Sequence, residues 1–227
     1  MALGDYFPNI GDFDTGDFRQ IILYRWQFDV YAVKSAIEYI DASLKASISD
    51  ELSRQREYNE KGQWIEHEDS LLKVAHLQSI FPYAFSSCIL SIYSIMEACL
   101  DRYCDICSKK LNQKVQLCDI QGKGIQRALT YLEKVIQIEP VKSNGLHGKI
   151  KVINDLRNDL IHRAGVTTPK KAEIYKAELG IELSEEGVIE ILYDNAIYVH
   201  DLCDRFIRLV LTRDFLVPFS SDNGEPT

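Results

Sequence analysis

The sequence predicts an all-α protein, a bundle of four to five helices with a long N-terminal helix and a small β-hairpin before the last helix. Helical periodicity of the apolar residues dominates the chain, and only one short stretch alternates in the way that strands do. Hydrophobic residues make up 46% and charged residues 26% of the 227 residues. This composition is ordinary for a soluble globular protein, and the chain is long enough to bury a core.

The periodic segments and their end signals set the order of the elements. The segments predict five helices, at about residues 18–61, 66–111, 124–138, 146–164 and 194–212. Pro82 is expected to kink or split the second helix, because proline cannot donate to the preceding turn. The third ends before Pro140, and the fourth ends at Gly165, a residue suited to a left-handed C-cap. Residues 180–192 alternate on both sides of a Glu-Gly turn, which predicts the hairpin.

These elements are expected to form a single domain over residues 18–217. The first 17 residues are rich in Asp and Gly and are predicted to be a loop without a secretory signal pattern, and residues 218–227 are predicted to be a disordered tail. Charges interrupt the apolar stretches every few residues, so no membrane span or membrane partner is expected. Together these features predict a cytoplasmic protein.

The six cysteines are predicted to be reduced thiols rather than a metal site. Most lie in helical apolar runs, where a thiol packs like a small hydrophobic group. Cys104 and Cys107, with Cys118 nearby, resemble half of a zinc site, but the second Cys or His pair is missing. We therefore expect no metal and no cofactor.

The charge is unevenly distributed along the chain. The net charge is −8, which argues against a protein that coats nucleic acid without selectivity. Residues 141–171, however, contain seven basic and two acidic residues, a net charge of +5, so that the rest of the chain carries −13. This basic island is either a solvated helix face beside a basic loop or a binding surface for a polyanion.

The basic island surrounds the hexapeptide Arg157-Asn-Asp-Leu-Ile-His162, within the fourth helix. Arginine binds phosphate, and histidine transfers protons near neutral pH, so the pair suits phosphodiester chemistry. Arg157 falls in the middle of the apolar arc of the helix, where an unpaired charge is too costly to bury. It therefore either forms an ion pair that joins two helices or opens into a cleft. In the first case His162 simply caps the helix.

Polar residues flank this arc. Asn158 and His162 are four positions apart, a spacing that lets the amide orient the imidazole. Asp159 is expected to point away from the arc towards solvent. Glu97, on the second helix, is a candidate to pair with Arg157 or to support the site.

The segment Leu156-Arg-Asn-Asp-Leu-Ile-His-Arg163 resembles the signature of the HEPN superfamily, an Arg, a polar residue that is often Asn, and a His near the end of a late bundle helix. The resemblance covers about residues 71–211 and leaves the long N-terminal helix outside. It implies a metal-independent endoribonuclease, a toxin or phage-defence effector, that forms a homodimer with a composite active site. Arg157 would hold the scissile phosphate, His162 would act as general base or acid, and Asn158 would position the histidine or the phosphate.

The same resemblance implies partners and products. RNA would be cleaved to 2′,3′-cyclic phosphate and 5′-hydroxyl ends. From the residues alone, Arg163 and Lys149 either contact flanking phosphates or are simply solvated, and Asp159 is a candidate to support the site. Ala164 stands where the branch controlled by a nucleotidyltransferase has a modified tyrosine. The chain therefore favours an antitoxin that blocks the cleft, or no antitoxin, over a nucleotidyltransferase partner. Two other interpretations stay open: a non-catalytic HEPN module that binds RNA or nucleotide, and a helical dimerisation adaptor.

Overall fold

A computed structural model of the chain describes residues 18–141 and 145–216, and this part is almost entirely helical. The predictions for residues 1–17 and 218–227 lie outside it. Within the described part there are six α-helices, Phe18–Glu60 (α1), Trp64–Lys110 (α2), Gly124–Tyr131 (α3), Gly145–His162 (α4), Pro169–Leu179 (α5) and Tyr193–Leu211 (α6). Strands Glu182–Leu183 (β1) and Ile189–Glu190 (β2) form an antiparallel hairpin before α6. The all-α prediction, with its long first helix and its hairpin, is confirmed.

The sixth helix, α5, was not predicted. Its first turn carries Pro169, and the side chain of Thr168 accepts a hydrogen bond from the backbone N–H of Lys171, which caps the helix. Gly180 ends the helix in a left-handed conformation, with φ of +68°. Both end signals are visible in the sequence, but the helix between them is largely exposed and its apolar pattern is weak.

Pro82 does not split α2, which runs unbroken through it. A proline costs the helix one backbone hydrogen bond. The following turns of α2 bury several large side chains, among them Phe85 and Ile89, and this burial stabilises the helix by more than the lost hydrogen bond costs. By length and composition α2 could cross a membrane, but 33% of its most apolar stretch is buried within the chain. The core helix of a soluble protein passes the same test, so the cytoplasmic location stays a prediction.

The chain divides into two compact units, and three of the four boundaries between them fall inside helices, in α1, α2 and α6, while the fourth lies between Val141 and Lys142. The single domain over residues 18–217 therefore stays a prediction. The described part of the first unit comprises residues 18–29, 97–141 and 207–216. Here α3 continues into a π-helical turn over Leu132–Ile136, and Ile138 bridges to Phe215. The third predicted helix is thus confirmed, with a wider last turn.

The second unit contains the hexapeptide. Its described residues are 30–96 and 145–206, so it holds most of α1 and α2, all of α4 and α5, the hairpin and most of α6. Its buried residues come from each of these elements. The candidate site can therefore be described within this unit.

Candidate functional site

Helix α4 presents its apolar arc to the core much as the sequence predicts. Ile150, Ile153 and Leu156 are fully buried, in agreement with the helical spacing. The same helical spacing places Ile161 on the apolar arc, but Ile161 is 45% exposed. The helix ends one residue later, and Gly165 adopts the predicted left-handed conformation, with φ of +82°. The last turn of α4 therefore emerges from the core, and the motif lies where a buried helix becomes exposed.

The guanidinium of Arg157 makes no ion pair with any described residue. Its Nη1 donates to the Oδ1 of Asn158 at 3.0 Å, and its Cζ lies 5.8 Å from the centre of the Tyr93 ring. Its Nε is buried and has no hydrogen-bond partner in the described part of the chain. The residue is half-buried, and apart from Asn158 no described residue accepts a hydrogen bond from its guanidinium. An oxyanion at the accessible part of the guanidinium would form a charge-assisted hydrogen bond.

Tyr93, on α2, supports this arrangement. Its ring is buried beside the Arg157 guanidinium, and its hydroxyl donates to the Oδ1 of Asn154 at 2.8 Å. Asn154 lies one turn before Asn158 on α4, so Tyr93 links the two helices at the level of the arginine. Tyr93 belongs to the core-spaced residues of α2, and nothing in its spacing along the sequence distinguishes it from them.

Asn158 and His162 are not brought together as expected. The amide oxygen of Asn158 accepts from the charged guanidinium of Arg157 instead, and hydrogen bonds from charged donors are the stronger ones. His162 is the last residue of α4 and is exposed, with no hydrogen bond or ion pair to a described residue. Asn158 therefore orients the arginine, and the imidazole remains accessible to a ligand.

Asp159 was expected to face solvent, and this is wrong: it is only 2% exposed. Its carboxylate accepts from the Thr167 hydroxyl at 2.6 Å, from the Lys171 ammonium at 2.9 and 3.0 Å, and from the Tyr175 hydroxyl at 2.8 Å. Burial raises the pKa of Asp159, but these hydrogen bonds and the charge of Lys171 together outweigh burial and lower it. The error follows from the missed helix, because α5 covers the face of α4 that carries Asp159.

This network fixes the chain directly after the motif. Ala164 and Gly165 both have positive φ, +49° and +82°, which turns the chain back from α4 towards α5. The Gly165 carbonyl accepts from the backbone N–H of Ile189 at 2.9 Å, so the turn is also bonded to β2. Asp159 then bonds the start of α5 to the last turn of α4. The exposed His162 therefore lies at a helix end that is hydrogen-bonded to α5 and, through the following turn, to β2.

Glu97 belongs to the first unit and Arg157 to the second, so the support of Glu97 for the site stays a prediction. Within the first unit the Glu97 carboxylate lies against Gly124 at the start of α3. A carboxylate at a helix N-terminus is favoured by the dipole of that helix. Glu97 therefore has a local structural role that its position on α2 did not reveal.

The two basic residues predicted to bind RNA differ in their availability. The Lys149 ammonium donates to the Tyr198 hydroxyl at 2.7 Å and to the Glu178 carbonyl at 3.3 Å, and the hydrogen bond with Tyr198 raises its pKa. Arg163 is more than half exposed, and its Nε lies 3.8 Å from the Asp159 carboxylate. Arg163 can therefore reach a ligand near His162, whereas Lys149 would first have to leave its partners.

The cysteines are all free, and four of the six, Cys88, Cys104, Cys107 and Cys203, are buried as predicted. Burial raises the pKa of Cys107 to about 12, which keeps this thiol protonated. In the described residues no three His, Cys, Asp or Glu side chains are grouped so as to hold a metal ion.

Comparison of the whole chain with protein-family models, with curated proteins and with solved structures found no significant match. The resemblance to the HEPN superfamily therefore depends on the hexapeptide and on its position near the end of a late helix in an all-α chain.

Proposed function

We propose that this protein is a metal-independent endoribonuclease of the HEPN type, active as a homodimer in a toxin or defence role. One observation carries the proposal: Arg157 is held at the edge of the core without a carboxylate partner among the described residues, on the helix that ends with the exposed His162. The missing carboxylate is the distinguishing feature, because Arg127 and Arg213 also have a buried Nε without a partner but pair with Asp101 and Glu139. A phosphate at the accessible part of the Arg157 guanidinium would supply the missing negative charge.

The residues divide the chemistry as follows. His162 of one copy takes the proton from the 2′-hydroxyl of RNA, and the 2′-oxygen attacks the adjacent phosphorus. Arg157 binds the phosphate and stabilises the charge that develops on its oxygens, while Tyr93 and Asn158 hold the guanidinium in place. His162 of the second copy donates a proton to the departing 5′-oxygen. The products are a 2′,3′-cyclic phosphate and a 5′-hydroxyl.

A non-catalytic RNA- or nucleotide-binding module is the second candidate, and a specific observation favours it. His162 has no orienting hydrogen bond from the described residues, whereas catalytic histidines are commonly held by one. In this case Arg157 and the exposed Arg163 bind phosphates, and no bond is cleaved. An antitoxin that covers the end of α4 would inhibit either activity.

The deciding experiment is cleavage of end-labelled RNA by the purified protein in EDTA. We expect wild type to cut, and Arg157→Ala and His162→Ala each to lose about 10²–10⁴-fold in rate. Arg56→Ala and His76→Ala are the matched controls, because they remove exposed residues of the same types elsewhere on α1 and α2, and they should cut like wild type. Circular dichroism would verify that all the variants are folded.

The outcomes separate the candidates. Cleavage that survives both substitutions, or that disappears in EDTA, would refute the proposal. Wild type that binds RNA without cutting it, with binding lost in Arg157→Ala, would establish the binding module. RNA carrying a single 2′-deoxy sugar at the cut position should resist cleavage, because it lacks the attacking oxygen.

A further inference from the structure

The hairpin formed by α1 and α2 ends in an arm without an apolar core of its own. We call residues 46–73 the arm, because they comprise the end of α1, the turn after it and the start of α2. Only two residues of the arm are buried, and both are polar, Glu51 and Ser70. The Ser70 hydroxyl donates to the Glu51 carbonyl at 3.1 Å, and the Lys73 ammonium lies 3.8 Å from the Glu51 carboxylate. Because helices in proteins are stabilised mainly by packing an apolar face, we expect another element to cover this arm.

The start of α2 presents the apolar face that such an element would cover. Four large apolar side chains of the arm, Trp64, Ile65, Leu71 and Leu72, are exposed by 71, 76, 48 and 70%. At about 100° per residue they fall within an arc of about 120° on one side of α2, which is the width of an ordinary core-facing stripe. Single exposed apolar residues are normal on a soluble protein, whereas a contiguous stripe is typical of an interaction surface.

Unpaired acidic residues accompany this stripe. Five acidic residues of the arm make no ion pair with a described residue: Asp50, Glu60, Glu66, Glu68 and Asp69. Of the four basic residues of the arm, only Arg56 is unpaired in this sense, because the others pair with Glu51 or Glu57. The surface that the arm offers to a partner is therefore both apolar and anionic.

The positions of the acids define the chemistry of that partner. By helical spacing Glu68 lies within the apolar arc, Asp69 lies beside it and Glu66 lies outside it. An element that covers the stripe must neutralise the first two carboxylates, and lysine or arginine does so. A surface of anionic lipids or a nucleic acid would be repelled. A second copy of the chain, with a net charge of −8, is also a poor match.

We propose that the arm binds a basic amphipathic helix of another protein. The apolar face of that helix covers Ile65 and Leu72, and its lysine or arginine side chains pair with Glu68 and Asp69. Three helices then share one apolar layer, as they do in helical bundles.

The arm is remote from the candidate site. Leu72 and Tyr93 are 21 positions apart on α2, which corresponds to about 30 Å at 1.5 Å per residue, and Tyr93 lies beside Arg157. A helix bound on the arm therefore tethers the protein to its partner and leaves the candidate site open. The inference does not depend on the proposed ribonuclease activity, and the arm variants described below should cleave RNA at the wild-type rate.

Trp64 provides a direct readout of binding. The chain has two tryptophans, and the other one, Trp26, is buried. The probe is a synthetic amphipathic peptide of leucine and lysine in a heptad pattern. We expect it to shift the emission of Trp64 to shorter wavelength in a saturable way at physiological ionic strength. A leucine and glutamate peptide of the same pattern and a scrambled leucine and lysine peptide should not do so, and Trp64→Phe should abolish the shift.

Substitutions on α2 locate the bound peptide. The double variant Glu68→Lys and Asp69→Lys should raise Kd about tenfold, because attraction becomes repulsion. Glu66→Lys is the matched control, since this exposed acid lies outside the arc, and it should change Kd by no more than about threefold. Leu72→Ser should weaken binding, whereas Leu192→Ser, which alters a side chain exposed by 54% outside the arm, should not. Circular dichroism verifies the fold of each variant.

Cross-linking in the cells that make the protein identifies the natural partner. With a photoreactive phenylalanine analogue in place of Trp64, we expect a covalent product with another protein, joined through a basic amphipathic helix. A synthetic copy of that helix should bind wild type and not the double variant. Cross-links to a second copy alone, a blue shift with phosphatidylcholine vesicles but not with the peptide, equal binding of the control peptides, or unchanged binding by the double variant would each overturn the inference. RNA cleavage in EDTA would still decide the ribonuclease proposal separately.

Discussion

Replacing Asp159 by alanine tests how the motif helix is held. The carboxylate is 2% exposed and accepts hydrogen bonds from Thr167, Lys171 and Tyr175. Asp159→Ala would leave the buried Tyr175 hydroxyl and the partly buried Lys171 ammonium without their acceptor. Removing one partner of a buried ion pair costs about 3–5 kcal/mol in the free energy of unfolding. For a chain of this size each kcal/mol lowers the unfolding midpoint by about 2–4 °C, so we expect a decrease of roughly 6–20 °C.

The assay is thermal unfolding followed by circular dichroism at neutral pH. Asp155→Ala is the matched control, because this carboxylate lies one turn earlier on α4, is exposed and makes no ion pair with a described residue. An exposed substitution of that kind should change stability by no more than about 0.5 kcal/mol. A midpoint for Asp159→Ala within the range of this control would refute the argument, since the carboxylate would then not hold α5 to α4.

The pH dependence gives a second measurement on the same residue. The pKa of Asp159 is lowered in the folded chain, so its contribution to stability is present above its ordinary pKa of 3.8 and is lost as pH falls through the lowered value. The difference in stability between wild type and Asp159→Asn should therefore be largest near neutral pH and should shrink below about pH 3.8. A difference that grows in acid would contradict the sign of the shift.

Three further changes test other parts of the structure. Gly124→Ala should lower the unfolding midpoint, because Gly124 has φ of +54° and an added Cβ would collide with the Glu97 carboxylate; an unchanged midpoint would be the contrary result. Tyr93→Phe should cost about 1 kcal/mol in chemical unfolding, because the hydrogen bond to Asn154 is lost while the ring beside the arginine remains. A thiol reagent should modify the exposed Cys118 rapidly in the folded protein, the half-buried Cys99 more slowly, and all six cysteines only after unfolding; rapid modification of more than two would contradict the burial of the other four.

Local sequence signals were sufficient for most of the fold. Helices α1, α4 and α6 begin and end within about two residues of their predicted bounds, because their apolar residues recur at helical spacing and a cap such as Gly165 marks the end. The same signals misjudged two places. Pro82 reads as a break but lies inside α2, and α5 has clear caps but little apolar pattern between them.

The candidate site was predicted in part. The central position of Arg157 on the arc of α4 followed from its spacing, and the structure leaves it without an ion pair among the described residues. The contacts of the site residues were not predicted. Tyr93, beside Arg157, lies on a helix far away in the sequence, Asn158 accepts a hydrogen bond from Arg157, and Glu97 lies against Gly124. Periodicity assigns a residue to a helix face but does not say what packs against that face.

The all-α class, the hairpin, the basic island and the spacing of Arg157 and His162 could be read from the amino-acid sequence, because each depends on the order of residues within one segment. The burial of Asp159 could not, since it requires α5 to fold back over α4. The tertiary structure likewise decided which donors and acceptors pair across helices. Such pairings depend on distances between segments far apart in the chain, and neighbouring residues do not encode them.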